Sequence, residues 1–178
     1  MDWSEDRRRL EFGALEGITY LDHAFRGPVP KSSADATVAA LEDAQRGSLA
    51  RFTQNTTIET TRARVAGLIG WPSESVGFVA NTTGAVAAIA GAIGWRAGDR
   101  ILVGPDEAPA NILPWKALER QGVSIEVLPS RNGRLETGDV ESAFGRAGFR
   151  LFTCAAVTLG SGDRRDLAAL GRLCTANG

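Results

Sequence analysis

Cysteine and histidine are scarce in this sequence of 178 residues, and the scarcity limits the kinds of site it can form. The two cysteines, Cys154 and Cys174, match neither a disulfide framework nor a metal-ligand spacing, so no metal site is predicted. Both lie in apolar stretches, which favours reduced packing residues in a cytoplasmic protein.

Long apolar runs and an excess of basic charge are also missing. The longest apolar candidate, Ala85–Trp95, is too short to cross a bilayer, and the first twelve residues, MDWSEDRRRLEF, lack the apolar core of a signal peptide. The formal net charge is −1, and the basic cluster Arg7, Arg8 and Arg9 is offset by the acidic residues Glu5, Asp6 and Glu11, as on a solvated helix face. We therefore predict no nucleic-acid partner and no membrane partner.

The first 70 residues predict a helical N-terminal domain. The segment ITYLDHAFRGPVP is a short apolar stretch that ends in a Gly-Pro loop. The segment SSADATVAALEDAQR has apolar residues at helical spacing, with Ser32 or Ser33 as its N-cap. A Thr-rich patch then leads into a second helix, RARVAGLIGW, which is predicted to stop at Gly70.

Residues 71–178 alternate between strand-like and helix-like segments. The strand-like segments are VGFVA, RILVG, SIEVLP and RLFTCAAV. Alternation with short connections implies right-handed crossovers and a mainly parallel sheet. The predicted fold class is therefore a three-layer α/β domain with helices on both faces of the sheet. Since the last helix ends at Gly178 without a following strand, we expect the front part of a longer fold or one piece of a split protein.

The turn NTTG, residues 81–84, lies between a predicted strand and a predicted helix. The unsatisfied amides and the dipole of a helix N-terminus favour an anion such as a phosphate. Thr82 and Thr83 can add hydroxyl donors, and Gly84 lets a ligand approach the backbone. Helix capping by Asn81 is the alternative interpretation, and it needs no ligand. The turn matches neither a Walker loop nor a GxGxxG fingerprint.

Four sequence blocks, in their order along the chain, together carry a resemblance to a known protein family. They are YLDHAFRGPVP, VGFVANTTGAVAAIAGAIGWRAGDRILV, DEAPANILPWKALERQGVSIEVLP and VTLGSGDRRDLAALGRLCTANG. Together they resemble the class V aminotransferase and cysteine desulfurase family of pyridoxal phosphate enzymes, and most closely its isopenicillin N epimerase-like branch. The resemblance implies the fold of the large domain of these enzymes and pyridoxal 5′-phosphate as the cofactor.

The resemblance also implies roles for individual residues. Thr82, Thr83 and Gly84 would hold the phosphate group of the cofactor, and Asn81 would shape the turn. Ala108 falls where relatives stack an aromatic or histidine side chain on the cofactor ring. An alanine cannot stack, and the lost contact would weaken cofactor affinity by roughly 1 kcal/mol.

Two further regions depart from the family pattern or leave alternatives open. In the loop after RLFTCAAV, relatives often place an asparagine on the ring hydroxyl, and here Thr158 or Ser161 would replace it. His23 and Ala24 lie in the segment that borders the substrate in relatives and are the predicted substrate-binding residues. A hydrogen-bonded loop histidine beside Asp22 is the equally weighted alternative.

No catalytic residue is predicted in this chain. Relatives form a Schiff base with a lysine and pair an aspartate with the pyridinium nitrogen, and both residues lie beyond the segment that the chain matches. The two lysines, Lys31 and Lys116, match neither position and are predicted to be solvated.

The resulting hypothesis is the N-terminal part of a pyridoxal-phosphate-dependent class V enzyme that acts on an amino acid by transamination or epimerisation-type chemistry. We expect the chain alone to be inactive and the full-length protein to be a homodimer, as in relatives. The alternatives are a degenerate or split domain that acts only with a partner chain, and a plain α/β module in which NTTG is only a helix cap.

Overall fold

The computed structural model of the chain describes residues 4–45, 47, 51–130, 134–146 and 148–178, excepting the side chains of residues 51–55. These residues divide into two compact units, Met1–Gly77 and Phe78–Gly178. The sequence placed the division between residues 70 and 71. In the part of the chain so described, no helix is long and apolar enough to span a membrane.

The described residues of the first unit form three α-helices, α1 (Glu5–Phe12), α2 (Lys31–Gln45) and α3 (Arg51–Ile69). The Ser4 side chain accepts a hydrogen bond from the Arg7 amide at 3.3 Å and so caps α1. The Glu11 carboxylate accepts a hydrogen bond from the Ser32 amide at 2.9 Å, which lowers the pKa of Glu11 and joins the end of α1 to the start of α2.

Helix α3 is longer than the sequence predicts. It begins at Arg51 and includes the Thr-rich stretch that was expected to precede it. The threonines adopt the helical backbone conformation. The Thr61 hydroxyl donates a hydrogen bond to the Thr57 carbonyl at 2.8 Å. The predicted end is correct, because Gly70 takes a positive φ of 68° just after Ile69.

The second unit is an α/β domain with a parallel sheet. Its elements, in chain order, are α4 (Thr82–Ala92), β1 (Arg100–Val103), α5 (Leu113–Lys116), β2 (Ser124–Val127), α6 (Thr137–Arg146), β3 (Leu151–Thr153) and α7 (Leu167–Ala176). The strand order is β2-β1-β3 and both pairings are parallel, with Ile101 opposite Ile125 on one side and Leu151 on the other.

Alternate side chains of β1 face two different apolar clusters. Ile101 and Val103 pack with α4 and α5, in a cluster that includes Ala90 and Trp115. Leu102, on the opposite face, packs with α6 and α7 in a cluster formed with Leu128, Val140, Ala143 and Leu170. Helices therefore cover both faces of the sheet, and the predicted three-layer α/β class is confirmed.

Two strand predictions need correction. The segment VGFVA, Val76 to Ala80, forms no strand, and Phe78 and Val79 are 51% and 58% exposed. A strand requires a neighbour that completes its backbone hydrogen bonds, and no described strand pairs with this segment. β3 ends at Thr153, four residues earlier than predicted, because the Ala155 amide bonds to the Glu107 carboxylate rather than to a strand.

Candidate functional site

Asn81 is the N-cap of α4, as the capping interpretation predicts. Its backbone is extended, with φ −166° and ψ 170°, and its side-chain oxygen accepts a hydrogen bond from the Gly84 amide at 2.8 Å. The Asn81 carbonyl accepts a second bond from the Ala85 amide at 3.1 Å. These two bonds fix the turn and satisfy the third and fourth amides of the helix.

Capping leaves the first two amides of α4 available. Thr82 and Thr83 are exposed, and neither their amides nor their hydroxyls have a hydrogen-bond partner among the described residues. A side-chain carbon added at Gly84 would touch only the Asn81 side-chain oxygen, at 3.5 Å, so that position is open as well. Two amides and two hydroxyls at the positive end of a helix dipole are suited to an anion.

This helix start lies at the end of the sheet where ligands bind in open α/β folds. α4 ends at Ala92 and a short loop leads to the first residue of β1, while Val86 and Ala90 pack against β1. The helix therefore runs opposite to β1, and Thr82 is directed toward the carboxyl end of the strand. Crevices outside the carboxyl ends of parallel strands are the usual ligand sites of such sheets.

Ala108 follows the carboxyl end of β1. It is half-buried and precedes a 3-10 turn, Pro109–Asn111, against which α4 packs. Its methyl group offers no flat surface to a ring. The preceding residue, Glu107, is buried.

A buried ion pair that the sequence did not predict joins the loops after β1 and β3. The side chains of Glu107 and Arg165 have no exposed area and form a salt bridge. Glu107 also accepts hydrogen bonds from the Ala155 amide and the Asn111 side chain, both at 2.8 Å. Arg165 donates to the Pro105 carbonyl at 2.5 Å. No local pattern indicates this pair, because the two residues are 58 positions apart.

Thr158 and Ser161 form one hydrogen-bonded unit. Their hydroxyl oxygens lie 2.6 Å apart, and the Asp163 amide donates to the Thr158 hydroxyl at 2.9 Å. Thr158 is 3% exposed. Thr158 and Ser161 were the two predicted replacements for the asparagine that contacts the ring hydroxyl. They are therefore hydrogen-bonded to each other within one loop.

The two cysteines have little thiolate character. Burial raises the pKa of both thiols, and the contact of Cys154 with Arg165 offsets only part of this effect. Since the thiolate is the nucleophilic form, neither cysteine is activated as a nucleophile.

His23 and Ala24 belong to the first unit, and both are exposed. The His23 ring contacts Tyr20 edge-on, with ring centroids 5.1 Å apart. Both rings line a cavity of about 550 Å³ between α1 and the loop that precedes α2. The ring contact of His23 is with Tyr20, and the substrate-binding role of His23 and Ala24 stays a prediction.

Comparisons with known proteins agree with this geometry. The family model described as "Aminotransferase class-V" matches residues 19–178. A probable cysteine desulfurase of Methanothermobacter thermautotrophicus is 29% identical over 176 residues, which cover 96% of this chain and 44% of that protein. A probable cysteine desulfurase of Pseudomonas aeruginosa is 35% identical over 139 residues, which cover 71% of this chain and 34% of that protein.

Solved structures show the same fold. An apo cysteine desulfurase from Thermococcus onnurineus matches with a TM-score of 0.80 and 25% identity over 100% of this chain and 46% of that one. A mutant of the enzyme C-DES, with glycine covalently linked to its PLP cofactor, matches with a TM-score of 0.83 and 20% identity over 94% of this chain and 46% of that one. The chain spans less than half the length of these relatives.

The architecture is that of the large domain of pyridoxal-phosphate-dependent transferases. The chain belongs to the class V aminotransferase family. Pyridoxal phosphate is the cofactor of this family, and the open amides and hydroxyls of Thr82 and Thr83 fit its phosphate group.

Proposed function

We propose that this chain is the N-terminal part of a pyridoxal-phosphate-dependent enzyme that acts on an amino acid, and that Thr82, Thr83 and Gly84 bind the phosphate of the cofactor. The observation that carries the proposal is the start of α4, where Asn81 caps the later amides and the first two remain without a partner in the described chain. When bound, the cofactor supplies an electron sink for a carbanion at the amino-acid α-carbon. The part played by this chain is to hold and orient it.

The test of the phosphate site uses pyridoxine 5′-phosphate, which lacks the aldehyde and so cannot react with Lys31 or Lys116. In calorimetric titrations, a Thr82→Val/Thr83→Val variant should bind it at least about tenfold more weakly, because each hydroxyl bond to a charged group is worth about 1.5–3 kcal/mol. Thr137→Val, at the start of α6, is the matched control and should bind as the unaltered chain does. Equal affinity of the unaltered chain for pyridoxine and for its phosphate ester would contradict the proposal.

We further propose that the lysine that attaches the cofactor lies outside this chain, so that the chain alone is inactive. Lys116 is exposed on α5, and Lys31 is exposed and pairs with Asp35 at 2.5 Å. Both lysines therefore lie in solvent rather than in the desolvated environment that activates a lysine.

With pyridoxal phosphate added, we expect no site-specific visible absorption band that depends on a single lysine. Spectra of Lys31→Ala and Lys116→Ala variants should match that of the unaltered chain at equal cofactor excess. Loss of a band in one variant alone would identify that lysine as the attachment point and overturn the proposal.

The reaction class remains a proposal of transamination or epimerisation-type chemistry. Desulfuration of cysteine is the second candidate, because several relatives are named cysteine desulfurases. It needs a reactive cysteine to receive the sulfur, and burial raises the pKa of both thiols in this chain. If the whole protein is a desulfurase, that cysteine must come from another segment. A homodimer of the full-length protein is part of the proposal.

An alternative proposal is a degenerate or split domain that works only with a partner chain. The alanine at position 108 supports it, since the ring would lose a stacking partner. The titration with pyridoxine 5′-phosphate tests the degenerate case, because a degenerate domain would have no reason to bind the phosphate ester more tightly than pyridoxine. A split domain would keep that preference, and it would show activity only after its partner chain is added.

A further inference from the structure

The Glu107–Arg165 pair joins the two loops that carry the residues predicted to face the cofactor ring. Glu107 directly precedes Ala108 in the loop after β1. Arg165 lies on the returning arm of the loop that holds Thr158, where Val157 and Arg164 form an antiparallel bridge and the Arg165 amide bonds to the Ala156 carbonyl at 3.0 Å. The salt bridge therefore ties one predicted ring-facing loop to the other.

The surroundings of the pair leave it little freedom to move. A side-chain carbon added at Gly104 would lie 2.6 Å from the Arg165 guanidinium, 2.9 Å from the Glu107 carboxylate and 3.0 Å from Cys154. Any larger residue at position 104 would therefore displace at least one of these groups. Glu107 is further held by Asn111, whose side-chain oxygen accepts a bond from the Thr153 hydroxyl at 2.8 Å. The network thus connects the ends of β1 and β3 through side chains.

Stability alone does not explain a fully buried ion pair. Removing two charges from water costs free energy, and well-packed apolar residues of similar volume often serve stability as well or better. The bonds to the Ala155 amide and the Pro105 carbonyl instead fix backbone positions, which apolar side chains cannot do with the same precision.

We propose that Glu107 and Arg165 are positioning residues that set the affinity of the protein for the ring of pyridoxal phosphate, as distinct from its phosphate group. The proposal rests on the proposed function. Because Ala108 provides no stacking surface, ring binding depends on how closely the two loops are held. The phosphate site at the start of α4 uses its own cap and makes no hydrogen bond to the pair.

The experiment compares two probes, pyridoxine 5′-phosphate and inorganic phosphate, by calorimetric titration of the chain. The main variant is Glu107→Gln/Arg165→Met, which removes both charges and leaves neither unpaired. We expect it to bind pyridoxine 5′-phosphate about tenfold more weakly, the lower end of the roughly ten- to hundredfold loss that removing the groups behind metal ligands causes in metal affinity. Its affinity for inorganic phosphate should stay within about twofold of that of the unaltered chain, because the α4 site is intact.

Two further variants keep the result interpretable. Arg146→Met removes an exposed arginine that pairs with Glu126 and should change neither affinity. Arg165→Lys keeps the charge but not the two-armed geometry, and we expect an affinity for pyridoxine 5′-phosphate between those of the double variant and the unaltered chain.

Several outcomes would overturn the inference. Equal weakening of both probes would indicate a general structural role, and unchanged binding of pyridoxine 5′-phosphate would indicate no role at the ring. Unfolding of the double variant, judged by circular dichroism while Arg165→Lys folds and binds as the unaltered chain does, would also assign the pair to structure alone. If the unaltered chain fails to prefer the phosphate ester over pyridoxine, the proposed function itself fails and this inference with it.

Discussion

Replacing Arg165 alone with methionine is expected to lower the free energy of unfolding by about 3–5 kcal/mol. The substitution leaves the Glu107 carboxylate buried without its cation, and it also removes the donor to the Pro105 carbonyl. Urea unfolding followed by circular dichroism would measure the change. The double substitution Glu107→Gln/Arg165→Met should recover much of the loss, because no unpaired charge remains in the interior.

Arg146→Met provides the control for this prediction. Arg146 forms an ion pair with Glu126 at 3.5 Å, but its side chain is 67% exposed, and exposed pairs contribute at most about 1 kcal/mol. A loss for Arg165→Met as small as that for Arg146→Met would mean that the buried pair does not hold the two loops together.

Replacing Trp115 with alanine is expected to lower the free energy of unfolding by about 3–5 kcal/mol. Trp115 is 3% exposed, its ring meets Trp95 edge-on with centroids 6.4 Å apart, and its indole nitrogen donates to the Asn111 side chain at 3.4 Å. The substitution would leave a cavity between α5 and the sheet that the surrounding residues can fill only in part. The same urea titration measures the loss.

Trp71→Ala is the chemically matched comparison. Trp71 is 63% exposed, so its removal should change the free energy of unfolding by about 0.5 kcal/mol or less. If the two tryptophan substitutions proved equally destabilising, the assignment of Trp115 to the core of the sheet would be wrong.

The features that could be predicted from the sequence depend on neighbouring residues. The apolar runs RILVG and SIEVLP predict β1 and β2. The helix ends at Asn81 and Gly70 are also predictable, because capping is an interaction between residues close in sequence. The parallel arrangement followed from the alternation of strands with helices. The resemblance of four ordered blocks then led to the family.

The features that could not be predicted depend on residues that are distant in the sequence. VGFVA has the composition of a strand, but whether it forms one depends on a hydrogen-bonding neighbour that composition does not reveal. Nothing in the residues around Arg165 indicates a partner, and only the returning loop brings it to Glu107. The pairing of Thr158 with Ser161 likewise depends on the shape of that loop.

The central position of β1 has a consequence for how the second unit folds. Both helical layers pack against the four residues of β1. Ile101 pairs with Ile125 and Leu151, which are distant from it in the sequence. Closing such long loops is entropically costly before any contact compensates it, so parallel pairing is slow compared with helix formation. We therefore expect the helices to form and unfold repeatedly before the assembled sheet provides a stable surface for them to pack against.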